Sequence, residues 1–260
     1  MKLKNSISDW LSNYLEDNKL ETFVIGISGG IDSAVTSTLC AMTGKRTIVV
    51  TMPIHQNPEE TQRGINHISW LKEKYPNVEQ YNIELTDTYE RLRKDTPALF
   101  HNDLSLANTK ARIRMNTLYL IAGGSNGIVV GTGNKVEDFG VGFFTKYGDG
   151  GVDISPIADL MKSEVYSLGR ELGVIEEIIN AKPTDGLWND GRTDEDQLGV
   201  SYDELEWAMD ISTAMVTEPV TFSDKEKNIL NVYLKHRAEN IHKMKGIPVF
   251  KKIRRYNETN

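Results

Sequence analysis

The stretch at residues 23–33 constrains the fold more than any other part of the chain. Its sequence is FVIGISGGIDS, a short apolar run followed by a turn of hydroxyl residues and glycines and then the start of a helix. A strand, turn and helix in this order gather backbone N–H groups and direct the positive end of the helix dipole at the turn. Gly29 and Gly30 let the backbone approach an anion closely. The stretch therefore predicts a phosphate-binding loop in an α/β protein.

The motif differs from two common phosphate-binding loops. No Gly-Lys-Ser/Thr closes it, so it is not a Walker A loop, and its glycines do not have the dinucleotide-binding Gly-x-Gly-x-x-Gly spacing. An ordinary tight turn would explain two glycines, but not the six coupled positions of Ser-Gly-Gly-x-Asp-Ser. The motif resembles the pyrophosphate-binding loop (PP-loop) of the N-type ATP pyrophosphatases, which cleave ATP between its α and β phosphates. Asp32 fits such a site if Mg²⁺ separates its carboxylate from the phosphates.

Apolar runs and helical patterns alternate over the first half of the chain. Buried strands are predicted at 23–27, 45–53, 78–83 and 128–133, and helices at 6–17, 58–75, 87–94 and 104–121. This alternation favours an α/β fold in which a parallel sheet has helices on both faces.

Beyond residue 160 the pattern becomes helical. A helix is predicted at 161–172, a mobile acidic loop at 185–200, and two further helices that start at capping boxes, Ser201 with Glu204 and Ser223 with Glu226. The second of these helices is expected to run to about Lys245. The C-terminal part is therefore predicted to be helical.

Bulk properties exclude several classes of protein. The 260 residues fit one domain spanning 1–260, and the net charge of −7 argues against a nucleic-acid partner. No apolar run approaches the ~20 residues that cross a bilayer, and the N-terminus lacks a secretory core, so we expect no membrane partner and a cytoplasmic location. The single cysteine, Cys40, excludes an internal disulfide and does not look like a glutaminase nucleophile.

Two later segments carry further candidate site residues. The segment 131–137, GTGNKVE, follows the fourth strand and could face the first loop, because carboxyl ends of parallel strands share one edge. Thr132 offers a hydroxyl, and Glu137 offers a second hard oxygen ligand for Mg²⁺. The segment 142–157 combines aromatic rings, Lys146 and aspartates, which can stack on a flat ring, meet a phosphate and accept from a ribose hydroxyl.

With these motifs in order, the chain resembles the ammonia-dependent NAD synthetases over nearly its whole length. The matching segments are 26–33, 110–115, 131–137, 143–153, 156–162, 182–188 and 193–199. The resemblance implies an adenine nucleotide alpha-hydrolase-like, Rossmann-like fold.

The resemblance also implies roles for individual residues. ATP would be bound by Gly26, Ile27, Ser28, Gly29, Gly30, Ile31, Asp32, Ser33, Thr132, Lys162 and Thr184. Deamido-NAD would be bound by Arg112, Lys146, Asp153, His242 and Lys243. Mg²⁺ would be bound by Asp32 and Glu137, and the catalytic residues would be Asp32, Lys146 and Lys162. Related sequences often carry arginine after His–Lys, where this chain has Met244, and Lys245 is a candidate replacement for that charge.

The activity implied is ATP-dependent amidation of deamido-NAD through an acyl adenylate, with ammonia taken directly. Closure of the 185–200 loop would shield the adenylate from water. The resemblance further implies a homodimer with the dinucleotide site at the subunit boundary. Two alternatives are another PP-loop ATP pyrophosphatase that adenylates a different acid or a transfer-RNA base, and a non-catalytic sensor of adenine nucleotides.

Overall fold

A four-stranded parallel sheet forms the centre of the computed structural model, which describes residues 2–184, 186–187, 192–214 and 221–252. The strands are β1 (Thr22–Gly26), β2 (Arg46–Thr51), β3 (Val78–Asn82) and β4 (Gly127–Val129). Their order is β3-β2-β1-β4, and every adjacent pair is parallel. The predicted α/β class with a parallel sheet is confirmed.

Ten α-helices surround or extend this sheet in the described part of the chain. They are α1 (Leu3–Asp17), α2 (Ile31–Met42), α3 (Pro58–Lys74), α4 (Thr86–Asp95), α5 (Asp103–Gly124), α6 (Lys162–Leu172), α7 (Glu176–Ile179), α8 (Asp194–Leu198), α9 (Tyr202–Thr213) and α10 (Asp224–Met244). A 3₁₀ turn at Ala98–Phe100 and a π-helical turn at Val136–Val141 complete the elements. No described helix is long and apolar enough to cross a membrane.

The central strand β1 is buried on both faces, which is why its sequence is continuously apolar. Phe23 and Ile25 belong to a core that includes residues of α1, α2, α3 and α6. Val24, between them, belongs to a second core with residues of α4 and α5. Because side chains alternate along a strand, helices cover both faces of the sheet.

A separate apolar cluster holds the C-terminal helices together. It contains residues of the π-helical turn and of α8, α9 and α10, centred on the fully buried Leu205 and Tyr233. The helical C-terminal part predicted from the capping boxes is confirmed, since Ser201 and Ser223 cap α9 and α10. This cluster fixes the far side of the π-helical turn that carries Glu137.

Three local predictions were wrong in part. The fourth strand stops at Val129, because Val130 pairs with Ile154 and the amide of Gly131 donates to the Ile154 carbonyl at 2.7 Å. Helix α5 continues beyond its predicted end at residue 121, through Gly123 to Gly124. Within the predicted loop 185–200, residues 194–198 form α8, and residues 185 and 188–191 lie outside the described residues.

Candidate active site

A cavity of about 280 Å³ opens beyond the carboxyl ends of β1 and β4. Every residue that the sequence assigned to ATP or to metal lines it. These are Gly26, Ile27, Ser28, Gly29, Gly30, Ile31, Asp32, Ser33, Thr132, Glu137, Lys162 and Thr184. The fold thus brings segments more than a hundred residues apart to one site at the edge where parallel sheets bind ligands.

The loop after β1 is shaped by one glycine in particular. Gly29 has a φ of +88°, and a Cβ atom there would lie 2.6 Å from the carbonyl oxygen of Glu60. Ser33 braces the loop from inside, since its Oγ accepts from the Ser28 amide at 3.3 Å and donates to the Gly30 carbonyl at 3.1 Å. Helix α2 begins at Ile31, so its first-turn amides, which have no partner within the helix, point at the loop. The loop is built to receive an anion.

A buried lysine bridges the two predicted metal ligands. The Nζ atom of Lys162 lies 2.7 Å from Asp32 Oδ2 and 2.9 Å from Glu137 Oε1, and its side chain is only 3% exposed. Asn134 donates from Nδ2 to the other oxygen of Asp32 at 3.1 Å. Lys162 starts α6, Asp32 lies in the first turn of α2, and Glu137 lies on the π-helical turn. The three groups form one compact unit, called the triad below.

Burial and mutual contact set the ionisation of the triad. Burial alone would lower the pKa of Lys162, but the two carboxylates outweigh it and raise that pKa well above its usual range. Burial raises the pKa of Asp32, partly countered by Lys162. Burial also acts to raise the pKa of Glu137, yet the Lys162 ammonium and a hydrogen bond from Tyr202 outweigh it and lower that pKa. Lys162 therefore stays a full positive charge at the cavity wall.

A further carboxyl group lines the cavity next to the triad. Partial burial, reinforced by Glu137, Asp149 and Asp32, raises the pKa of Asp138 to about 8. Asp138 lies against the backbone of Gly133, where a side chain would collide with its carboxyl oxygens. The Asp138 carboxyl group therefore explains why residue 133, the third residue of the segment 131–137, is a glycine.

The residues assigned to deamido-NAD lie outside the cavity lining, and four of them, all but Asp153, lie near one another around residues 144–146. The Nζ atom of Lys146 donates to the carbonyl of His242 at 3.1 Å, and Lys243 Nζ donates to the carbonyl of Phe144 at 2.8 Å. Arg112 donates from Nη2 to the Lys146 carbonyl at 3.3 Å. We call Arg112, Lys146, His242 and Lys243 the outer cluster.

Asp153 is placed differently from the outer cluster. Its carboxylate accepts from the Val129 amide at 2.8 Å and from the Tyr119 hydroxyl at 3.0 Å. It thus closes the end of β4, although its side chain remains exposed.

Several cavity residues were missed by the sequence reasoning. Arg63 of α3 has a buried Nε with no hydrogen-bond partner in the described part of the chain, and Arg114 of α5 donates to the Met52 carbonyl at 2.9 Å. Tyr202 of α9, which does not line the cavity but contacts Glu137 behind it, was missed as well. A cation or tyrosine on a helix has no local sequence signal that separates it from a surface or core residue, and only the packing of helices shows the difference.

Comparison with known proteins agrees with this geometry. The family model for NAD synthase matches residues 3–246. An NH(3)-dependent NAD(+) synthetase of Methanosarcina acetivorans is 35% identical over 95% of this chain and 97% of its own length. The protein of the same name from Methanococcoides burtonii is 41% identical over 79% of this chain and 77% of its own length.

Solved structures show the same fold. The NMN synthetase of Francisella tularensis superposes with a TM-score of 0.84 at 34% identity, covering 96% of this chain and 98% of that one. The NH3-dependent NAD synthetase of Campylobacter jejuni superposes with a TM-score of 0.78 at 25% identity, covering 96% of this chain and all of that one. The resemblance predicted from the motifs is confirmed, and the chain belongs to the NAD synthase family, whose members are ligases that form a carbon–nitrogen bond.

Proposed function

We propose that this protein amidates deamido-NAD with ammonia at the expense of ATP, giving NAD, AMP and pyrophosphate. One observation carries the proposal: a single cavity collects the phosphate-binding loop, two converging carboxylates and a buried lysine. The nicotinate carboxylate attacks the α-phosphorus of ATP and pyrophosphate leaves. Ammonia then attacks the acyl adenylate and AMP leaves.

Dipolar and charged groups of the chain favour the first step, the attack of the carboxylate on ATP. The loop amides and the positive end of α2 stabilise the triphosphate and the departing pyrophosphate. Lys162 supplies a fixed positive charge where negative charge builds on the phosphorus oxygens. Thr132 and Thr184 line the same cavity and offer hydroxyls. ATP is therefore held with its phosphates at the sheet edge.

Asp32 and Glu137 would hold a magnesium ion. One nitrogen touches both carboxylates, so they converge, and hard oxygen ligands of this kind suit Mg²⁺. Among the described residues no three acidic, histidine or cysteine side chains form a metal site, so phosphate oxygens and water would complete the coordination. The bound ion would neutralise phosphate charge.

The outer cluster would receive deamido-NAD at a boundary between two subunits. Its cations lie outside the cavity lining, and the nearby helix α5 exposes large apolar side chains, Leu104 at 62% and Leu120 at 77%. Large apolar side chains left exposed are often covered by a protein contact. We propose a homodimer, which light scattering on a sizing column tests. A monomer at micromolar concentration would contradict it.

The chain as a whole is proposed to be one NAD synthetase domain. The family match over residues 3–246 supports this division. A cytoplasmic location, where ATP is available, remains part of the same proposal.

A second candidate substrate is the deamidated mononucleotide. The solved structure that covers 96% of this chain with a TM-score of 0.84 is described as an NMN synthetase. The same adenylation and amidation chemistry would apply, because the nicotinate carboxylate is the reacting group in both substrates. The two candidates differ only in whether an adenylate half must be bound.

One assay separates these possibilities. The protein is incubated with ATP, Mg²⁺, ammonium and either deamido-NAD or the deamidated mononucleotide, and NAD, NMN and AMP are measured. We expect a higher kcat/KM with deamido-NAD. A higher value with the mononucleotide would reverse the assignment. AMP formation without NAD or NMN would mean that the adenylate is hydrolysed and not amidated, which would contradict both candidates.

A further inference from the structure

A buried tyrosine that the proposed chemistry does not use contacts the triad. Tyr202, the first residue of α9, is only 6% exposed. Its hydroxyl lies 2.5 Å from Glu137 Oε1, and Lys162 Nζ lies 4.7 Å from the centre of its ring. One side chain thus contacts both Glu137 and Lys162.

Glu137 needs such a contact because of where it sits. It lies on a single π-helical turn, and without Tyr202 its carboxylate would be held only by Lys162, at 2.9 Å, and by Asn134. The Tyr202 hydroxyl is a second donor to the same oxygen. Two donors fix the plane of a carboxylate, and hydrogen bonds to metal-ligating groups commonly set their orientation.

The hydroxyl has a second acidic neighbour but only one proton. Asp194 Oδ2 lies 3.1 Å from it, and Asp194 begins α8. Since a phenol donates one hydrogen bond, the shorter contact assigns the proton to Glu137.

We propose that Tyr202 is a positioning residue that holds the Glu137 carboxylate in place for the metal and for Lys162. The inference rests on the proposed function in one respect, that Glu137 binds the metal ion. It predicts that metal binding and activity depend on the Tyr202 hydroxyl and not on the bulk of the ring.

The protein offers a matched control in the same apolar cluster. Tyr233 is fully buried, and its hydroxyl has no hydrogen-bond partner in the described part of the chain. Replacing either tyrosine by phenylalanine removes one oxygen from the same kind of environment. Only Tyr202→Phe removes a contact with the triad.

The test measures metal binding separately from activity. Binding of Mn²⁺ is followed by electron paramagnetic resonance in the presence of a non-hydrolysable ATP analogue, and kcat is measured with Mg²⁺. In Tyr202→Phe we expect both Mn²⁺ affinity and kcat to fall about tenfold. Tyr233→Phe is expected to keep both within about twofold of the unmodified protein.

Folding is checked by the thermal midpoint of each variant. A tyrosine that only filled space would leave Mn²⁺ affinity unchanged in the folded phenylalanine variant, and that result would overturn the proposal. An equal loss in Tyr233→Phe would overturn it too. If Tyr202→Phe does not fold, Asp194→Asn serves instead, because it retains the bond to Glu137 and is expected to keep Mn²⁺ affinity. A tenfold loss of Mn²⁺ affinity in Asp194→Asn would contradict the assignment of the Tyr202 proton to Glu137.

The proposed function can fail independently. If the unmodified protein makes neither NAD nor NMN yet binds Mn²⁺ in a Tyr202-dependent way, the positioning role stands and the proposed reaction is wrong.

Discussion

The triad and the outer cluster hold their cations in opposite ways. Lys162 is buried between two carboxylates, whereas Lys146 and Lys243 donate to backbone carbonyl oxygens near the surface. A buried charge must be paired in the folded protein, so the triad is fixed before any ligand arrives. Hydrogen bonds to carbonyls at the surface are easily exchanged for bonds to an anion. The end of the site proposed to bind ATP is therefore preformed, and we expect the second substrate to complete the other end.

The largest effect on activity and stability is expected when the cation of the triad is removed. In Lys162→Met, Asp32 and Glu137 would face each other without a counter-charge. We expect kcat to fall by about 100-fold or more and the free energy of unfolding to drop by about 3–5 kcal/mol. Steady-state kinetics and urea denaturation measure the two effects.

Lys135→Met is the matched control, because Lys135 pairs with Asp159, whose side chain is 95% exposed. An exposed pair contributes at most about 1 kcal/mol, so a comparable loss in this variant would argue against a special role for burial.

The loop geometry is tested next with Gly29→Ala. The added methyl would meet the Glu60 carbonyl, and the φ of +88° is unfavourable for alanine. A strain of about 2 kcal/mol in the loop would weaken ATP binding by about 30-fold. Calorimetric titration with an ATP analogue measures the affinity.

Gly44→Ala separates backbone strain from steric collision, since Gly44 has a φ of +74° but an added Cβ there would meet no atom within 4 Å. It should lose stability while binding ATP normally. Normal ATP binding by Gly29→Ala would show that the loop adapts.

A smaller effect is expected in the outer cluster. Arg112→Ala should raise the KM for deamido-NAD about tenfold, by loss of one charge-assisted hydrogen bond, and leave the KM for ATP unchanged. Steady-state kinetics with each substrate varied in turn measures the split. Lys227→Ala, an exposed cation of α10 paired with Asp224, is the control. Equal changes in both KM values would place Arg112 in the preformed part of the site.

The smallest effect on activity is expected from a change at His67, in the helices that support the loop. His67 of α3 is fully buried, and its Nε2 lies 3.0 Å from Ser37 Oγ of α2. Burial lowers the pKa of His67 to about 4. The unfolded chain therefore takes up this proton first as the pH falls below about 6.5, and stability is lost between about pH 6.5 and pH 4.

The expected loss is about 3 kcal/mol over that window, with kcat at pH 7.5 unaffected. Urea denaturation at a series of pH values measures it. His67→Gln should flatten the profile, and His55→Gln, at an exposed site, should not. A profile unchanged by His67→Gln would assign the acid sensitivity elsewhere.

Much of the fold followed from local patterns. The apolar run before Gly26 can only be a buried strand, and the capping boxes at Ser201 and Ser223 place two helix starts correctly. The end of β4 could not be predicted, because it depends on the bridge between Val130 and Ile154. Helix α8 was missed, although Thr193 and Asp196 form a capping box there.

The candidate site also combines features that local sequence predicts with features that depend on the tertiary structure. The sequence by itself determined the loop after β1, since the glycine at 29 and the helix that starts at Ile31 are local features of backbone chemistry. Only the tertiary structure decided that Lys162 meets Asp32 and Glu137 and that Tyr202 meets Glu137, because these contacts join four elements that are far apart along the chain. Turns and caps depend on neighbouring residues, whereas a buried charge depends on whichever partners the fold brings to it.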